Sequence, residues 1–338
     1  MTKEIFETVN HETIYKLSVT NKNNVTISCL SYGANWYELL VPTEHGPQNL
    51  ILNFSKVADY QRINPYLNMS IGRTAGRIGH GKFNLNGKEI SVPQNEGDNT
   101  LHGGPHGFHN TNWESAVDGQ VITFTKNITA DYDQYPGNLA VKITYTLTDD
   151  NQVLIDYYAT ADADGIFNPT NHAYFNLNTT DQNVKNLTLQ LRSSHHLALD
   201  EEKIPTGETI ANAHTPFDFQ TTKTIGAAID NMQDTDEKGL DDVYLIDDHS
   251  ENEPIAILKN PDENIAVEIY AERNGIVMFT ANKFGAEQPF IDKTGQPYVG
   301  VALESQTVPN AVFDPNFGDI SIHQDETKHY QTKYQIKF

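Results

Sequence analysis

Residues 167–177, FNPTNHAYFNL, set one histidine inside a run that otherwise has the composition of a buried strand. Phe167, Tyr174, Phe175 and Leu177 are apolar and favour strands. Asn168, Thr170, Asn171 and Asn176 surround His172 and are polar without charge. Such groups cost free energy in a core unless each finds a hydrogen-bond partner, in the protein or in a polar ligand. An imidazole there can give or take a proton near neutral pH, because its unperturbed pKa is about 6.5. A complementary group closes a second strand-like run, PYVGVALESQTVPNA (297–311). Val299, Val301 and Leu303 alternate, and Glu304 follows. A glutamate and a histidine facing one cleft form a general acid/base pair. Spacing alone leaves their meeting open. The alternatives are a satisfied core histidine and a rim glutamate facing water.

Two more segments concentrate polar chemistry. SIGRTAGRIGHGKF (70–83) is glycine-rich, but no Ser or Thr follows its lysine and no strand–loop–helix pattern surrounds it. A phosphate loop is therefore rejected, and the glycines are read as tight turns. Arg73 and Arg77 stand out in an acidic chain, and each either serves a site or pairs with a local carboxylate. NEGDNTLHGGPHGFHN (95–110) carries His102, His106 and His109. It is too glycine-rich for helical metal-ligand geometry and lacks a CxxC or carboxylate cluster, so a ligand-binding loop is preferred to a metal site. His106 and His109 are expected to be exposed and without a role. His102 precedes Gly103-Gly104, which lets backbone or ligand come close.

The elements that must position these residues are strands. TIYKLSVT, NVTISCLSYG, GQVITFTKN, AVKITYTLTD, NQVLIDYYATA, NLTLQLRS, NIAVEIYAE and GIVMFTAN recur with turn signals between them. That pattern predicts an all-β sandwich or barrel. Asn86-Gly87 within KFNLNGKEISV predicts a type I′ hairpin. Short helical turns are expected near 55–63 and 224–232. Pro169 cannot donate a ladder bond and marks an edge, a bulge or a strand start. With no linker or charge block, residues 1–338 read as one domain.

Composition narrows the function. A net charge of −22 over 338 residues disfavours nucleic acid and anionic membrane as partners. The single cysteine, Cys29, excludes an intrachain disulfide and is read as a small buried hydrophobe. The N-terminal run has no apolar core of a signal peptide, and no stretch is long enough for a transmembrane helix. A cytoplasmic protein is expected.

At these residues the chain resembles the aldose 1-epimerase (galactose mutarotase) family. SYGANWYELLVPTEHGPQNLILNF, GRTAGRI, NEGDNTLHGG, NPTNHAYFNL, GLDDVYL, GIVMFTAN and ALESQTVPNA match its blocks in order. The resemblance implies a large antiparallel β-sandwich and interconversion of the α and β anomers of a free aldose. It implies no metal and no organic cofactor. Glu304 would be the base at the C1 hydroxyl, and His172, protonated, the acid at the ring oxygen. A nearby carboxylate would raise the protonated fraction of His172, and activity would fall at acid pH as Glu304 is protonated. Arg77, His102 and Asp241 would hold sugar hydroxyls, Phe279 would pack on a sugar face, and Asp242 would be a bystander. The asparagines around His172 would fix the imidazole. Many relatives carry Asn where this chain has Gly76, and Gln where it has Val277. Both departures leave the reaction intact and bear on the preferred sugar. Beside galactose and glucose, the alternatives are a disaccharide, a hexose 6-phosphate, or a non-catalytic carbohydrate-binding protein on the same fold. The molecule would be a monomer or homodimer.

Overall fold

The computed structural model describes residues 1–63, 66–179 and 181–338. Antiparallel sheets dominate it. A five-stranded sheet runs in chain order from Thr2–Val9 to Gly46–Asn49. A nine-stranded sheet begins at Glu114–Asp118, takes the C-terminal strand Thr327–Lys337 at its centre, and ends on Thr188–Leu191 and Lys223–Thr224. A six-stranded sheet has the order Tyr174–Phe175, Val301–Gln306, Gly275–Phe279, Asp241–Leu245, His195–Leu199, Pro205–Ala211. These layers form the expected β-sandwich. Among the described residues no helix is long and apolar enough to cross a membrane.

The sheets meet on aromatic side chains. Trp36, from the five-stranded sheet, is wholly buried. Its ring centroid lies 5.0 Å from Tyr334 and 6.5 Å from Tyr145 of the nine-stranded sheet, and 6.1 Å from Phe175 of the six-stranded sheet. The pairs with Tyr334 and Phe175 are edge-on and that with Tyr145 is tilted, and such pairs add to the burial of large apolar area. Cys29 lies in the same core, and burial raises its thiol pKa well above the usual value.

Local signals act as read. Asn86 and Gly87 take φ of 52° and 77° between Lys82–Leu85 and Lys88–Ser91, the left-handed pair a type I′ turn requires. Thr170–Asn171 starts a strand directly after Pro169. Helices form at Val57–Arg62 and Ile225–Asp230. A further single turn, Ala130–Asp133, was not foreseen, since four residues carry no periodicity to read.

That turn has a structural task. Arg73 is 1% exposed. Its Nε and Nη2 donate to the Asp133 carboxylate at 2.6 and 2.9 Å, and it also donates to the carbonyls of Pro136 and Gly137 at 2.7 and 2.8 Å. Of the two alternatives for Arg73, the structure takes the carboxylate pair. Asp133→Ala leaves a buried guanidinium uncompensated and should lower the unfolding free energy by about 3–5 kcal/mol in denaturant titration.

Candidate active site

One cleft of about 170 Å³ is lined by Arg77, His102, His172, Asp241, Phe279 and Glu304 together. All six residues proposed from sequence therefore face a common space. The six-stranded sheet supplies its floor. In the strand Val301–Gln306 every residue is buried. Val301 and Leu303 enter the main core, whereas Glu304 and Gln306 line the cleft, as the period-two alternation of a strand requires. Register then fixes the neighbours. Val277 lies opposite Glu304 and Val243 opposite Val277, while Asp241 lies opposite Phe279.

His172 arrives differently. Thr170–Asn171 pairs with Ser70–Ile71, and Tyr174–Phe175 pairs with Val301–Gln306. His172 sits where the chain changes partner. Its N–H donates to the Met69 carbonyl and its carbonyl accepts from Asn68 N–H, both at 3.0 Å. The asparagines serve this crossing and not the ring, which corrects the expectation. Asn171 Nδ2 donates to the Asn68 carbonyl and to Tyr145 Oη, at 3.3 and 3.1 Å. Asn176 Nδ2 donates to the Val299 carbonyl at 2.8 Å. A chain that switches sheets strands its backbone groups, and these amides satisfy them. The imidazole is held instead by stacking on Tyr174, with centroids 4.9 Å apart, and by the edge of His102 at 5.2 Å.

His172 Nε2 lies 3.4 Å from Glu304 Oε1. His172 is 5% exposed and Glu304 2%, so neither is the solvent-facing residue of the bland reading. Burial pulls the His172 pKa down to about 4 and pushes Glu304 well above the usual carboxylate value. Asp241 adds to the rise at Glu304, and Arg77 opposes it. The expectation that a nearby carboxylate keeps His172 protonated is therefore reversed. Desolvation disfavours the charged form of each group, the imidazolium of His172 and the carboxylate of Glu304.

Arg77 is aligned by the pairing of Arg77–Ile78 with Thr100–Leu101, which also brings His102 alongside. Its Nε and Nη2 donate to the two Glu96 carboxylate oxygens at 2.5 and 2.8 Å. His102 Nδ1 accepts the Gly76 N–H at 3.2 Å, and His102 N–H donates to the Gly76 carbonyl at 3.0 Å. Burial holds the His102 pKa well below the usual value, so the ring is neutral and carries its proton on Nε2. Ligand atoms of His102, His172 and Glu304 lie within 4.8 Å of one another, a spacing that would suit a metal ion. The tautomer does not fit one: Nδ1 is taken by Gly76, and Nε2–H is a donor with no lone pair to give. Gly103 permits this loop to close. Its φ is +85°, and a Cβ there would stand 2.0 Å from the Gly72 carbonyl oxygen.

The sequence profile of the aldose 1-epimerase family matches residues 15–335. The chain is 36% identical to an aldose 1-epimerase of Streptococcus thermophilus, over 98% of this chain and 97% of that one. It is 34% identical to a maltose epimerase of Levilactobacillus brevis, over 99% and 98%. Among solved structures, a galactose 1-epimerase from Lactobacillus acidophilus superposes with a TM-score of 0.84 at 26% identity, covering 99% and 98%. The chain belongs to the aldose 1-epimerase family. It is accordingly an isomerase-type enzyme.

Several residues of this epimerase's cleft were not singled out from the sequence. Tyr66 lies outside every motif block, yet its ring centroid is 4.7 Å from His102 and 4.8 Å from His109. Lys203 reaches the cleft from a turn after His195–Leu199 and pairs with Glu237 at 3.6 Å. Gln306 follows Glu304 by two and shares its face, and neither polar atom of its buried amide has a protein partner among the described residues. The period of two could have found it. His109 is a correction: it is 5% exposed, packed under Tyr66, and held down to about 4 by burial. His106 is exposed beside Tyr132, as expected. Asp242 Oδ2 turns back to accept Asp241 N–H at 2.9 Å, which suits a bystander.

Gly76 and Val277 both lie on the wall. Val277 faces the cleft. Gly76 has a φ of +69°, and a Cβ there would meet Pro309 Cγ at 2.5 Å. Gly76→Ala should cost about 1–3 kcal/mol of stability in denaturant unfolding. It should also raise KM more than it lowers kcat, because residue 76 holds His102 and Arg77 in place.

Proposed function

We propose that this epimerase interconverts the α and β anomers of free aldohexoses such as galactose and glucose. The observation that carries this is the Glu304–His172 pair, 3.4 Å apart on one wall of a cleft that also presents donors and acceptors for hydroxyl groups. With one proton between them the two groups are neutral overall. Moving that proton from Glu304 to His172 creates a carboxylate and an imidazolium without changing the charge of a dry site. Glu304 then takes the proton of the C1 hydroxyl as His172 gives one to the ring oxygen. The bond from C1 to the ring oxygen breaks, and an open-chain aldehyde forms. Rotation about C1–C2 offers the other carbonyl face, and closure runs the transfers backwards. Both oxygens must be served together, since neither an alkoxide nor an oxocarbenium should accumulate at neutral pH.

The other residues orient the sugar. His102 donates through Nε2–H and stays neutral, which makes it a holder of hydroxyls and not a proton shuttle. Arg77, neutralised by Glu96, donates; Asp241 accepts; Phe279 offers a ring face. A hexose 6-phosphate is disfavoured. The two cleft cations, Arg77 and Lys203, are already paired with Glu96 and Glu237, and a dianion would face Glu304 and Asp241. A second reading, action on the reducing end of a disaccharide, is favoured by the 34% identity to a maltose epimerase and by the Val277 and Gly76 wall. The ring-opening chemistry is the same in both.

Polarimetry on freshly dissolved α-galactose, α-glucose and α-maltose tests these readings together. Glu304→Gln and His172→Asn should each lower kcat by about 10²- to 10⁴-fold, with unfolding still cooperative. A merely sugar-binding protein would show no acceleration to lose. A kcat/KM for maltose well above both hexoses would favour the second reading.

The pH profile follows from the shared proton. Activity needs one proton on the pair. His172 is depressed to about 4, so the second proton enters only as pH falls toward that value. Glu304 is raised, so the single proton is lost only well above the usual carboxylate range. The kcat/KM profile should be a broad bell across neutrality. An acid limb at the ordinary histidine pKa of about 6.5 would contradict a desolvated pair.

A further inference from the structure

Arg273 is a buried cation without a counter-ion. It is 6% exposed, and no carboxylate pairs with it among the described residues. Its guanidinium lies 3.8 Å from the Tyr330 ring centroid. Burial lowers its pKa to about 10, so it stays charged at neutral pH. An uncompensated buried charge is expensive, and an apolar side chain of similar size would fill the space at less cost.

What the guanidinium touches suggests its purpose. Its Nη2 donates to Asn168 Oδ1 and, at 3.1 Å, to Thr307 Oγ1. Asn168 stands four residues before His172, and Thr307 three residues after Glu304. These two are joined directly as well. Asn168 Nδ2 donates to the Thr307 carbonyl at 2.9 Å, and Thr307 N–H donates to Asn168 Oδ1 at 3.1 Å. The amide thus imitates one rung of a ladder between segments that are not paired strands there. The backbone of Asn168 is fixed in turn to the Arg73 carbonyl and the Ala75 N–H, at 2.8 and 2.7 Å. That segment leads into Arg77. Three pieces of the site converge on Asn168, and Arg273 locks them from outside the cleft.

We propose that Arg273 is a positioning residue. Through the Asn168–Thr307 clasp it sets the separation of His172 and Glu304 on which proton transfer depends, and it touches no sugar. The inference rests on the acid/base reading above. It accounts for the retained charge: Asn168 Oδ1 accepts from both Thr307 N–H and Arg273 Nη2, and the same charged Nη2 donates on to Thr307 Oγ1, which an apolar side chain could not do.

The test compares Arg273→Met, Arg273→Lys and Thr307→Val with wild type and with Glu304→Gln. Arg273→Met keeps the apolar stem and removes the fork. Thr307→Val removes one acceptor and leaves every backbone bond, which guards against loss of fold in the first variant. The readouts are kcat, KM, the pH profile and the imidazole nitrogen chemical shifts of His172. Arg273→Met should lower kcat by about 10- to 100-fold with KM changed less than about threefold, since a displacement near 1 Å costs about that much. Thr307→Val should lower kcat by about two- to tenfold, and Arg273→Lys should recover part of the loss. The alkaline limb and the His172 Nε2 shift should move together in the same order. Folded Arg273→Met and Thr307→Val with wild-type kcat and unmoved His172 shifts would overturn the clasp while an inactive Glu304→Gln leaves the acid/base reading standing. An active Glu304→Gln would overturn both.

Discussion

A carboxyl and an imidazole face each other at 3.4 Å almost out of contact with water. Dehydration penalises either charge, so the pair resists gaining a second proton and resists losing the first. Moving one proton between the two groups leaves the net charge unchanged, and the carboxylate and imidazolium it forms attract each other across 3.4 Å. Everything else in the site serves that condition. The cleft must exclude water around Glu304 and His172 and still admit a polar substrate. It does so by placing the pair at the bottom, on the inner sheet, and the polar holders Arg77, His102 and Asp241 around it. His102 shows the same economy: its tautomer is set by a backbone N–H, so it can donate to a ligand without carrying charge.

Keeping the pair dry has a backbone cost that the surrounding polar residues offset. His172 lies at a point where the chain leaves one strand partner for another. Such a crossing would strand buried N–H and C=O groups. Asn168, Asn171 and Asn176 supply the missing bonds, joining Thr307, Asn68 and Val299. Thr170 Oγ1 adds one to the Ser305 carbonyl at 2.8 Å. The polar run is thus scaffolding for a crossing in the core. Its amides bond to fixed backbone and not to the imidazole, so the ring's own nitrogens stay available for the reaction.

This division explains what was legible in the chain. Alternation and turn residues announced the strands, and Asn86-Gly87 announced its hairpin, because both signals are local. Glu304 and His172 were visible as polar groups in apolar runs, and family resemblance paired them. Spacing could not, since 132 positions separate them in the chain (304 − 172) and their meeting is set by sheet order. The ionisation states were misread for the same reason. A neighbouring carboxylate raises an imidazole pKa in water, but the depth of burial that reverses this is a property of the assembled sheets. Lys203 and Tyr66 reach the cleft from turns whose only signal is three-dimensional. His109, placed in a glycine-rich loop, looked exposed; the loop folds inward because Gly103 and its neighbours let the chain pass against Gly72.

On the proposed reading, reaction and specificity are carried by different parts of the same wall. The strand Val301–Gln306 and the crossing at His172 are locked into the core on both sides, which leaves little freedom to vary without losing the proton path. Val277 and Gly76 lie beside that path and make no bond to the pair. Val277 stands directly across from Glu304 in register, so a polar side chain there would offer a hydroxyl a partner adjacent to the reacting carbon, and valine offers only shape. Gly76 presses against Pro309, so any larger residue must move the segment that follows Glu304. A site built this way can change the sugar it prefers through residues that never handle the proton. On that reading the ring-opening chemistry serves a hexose and a disaccharide alike, and the choice between them falls to a few atoms of apolar wall.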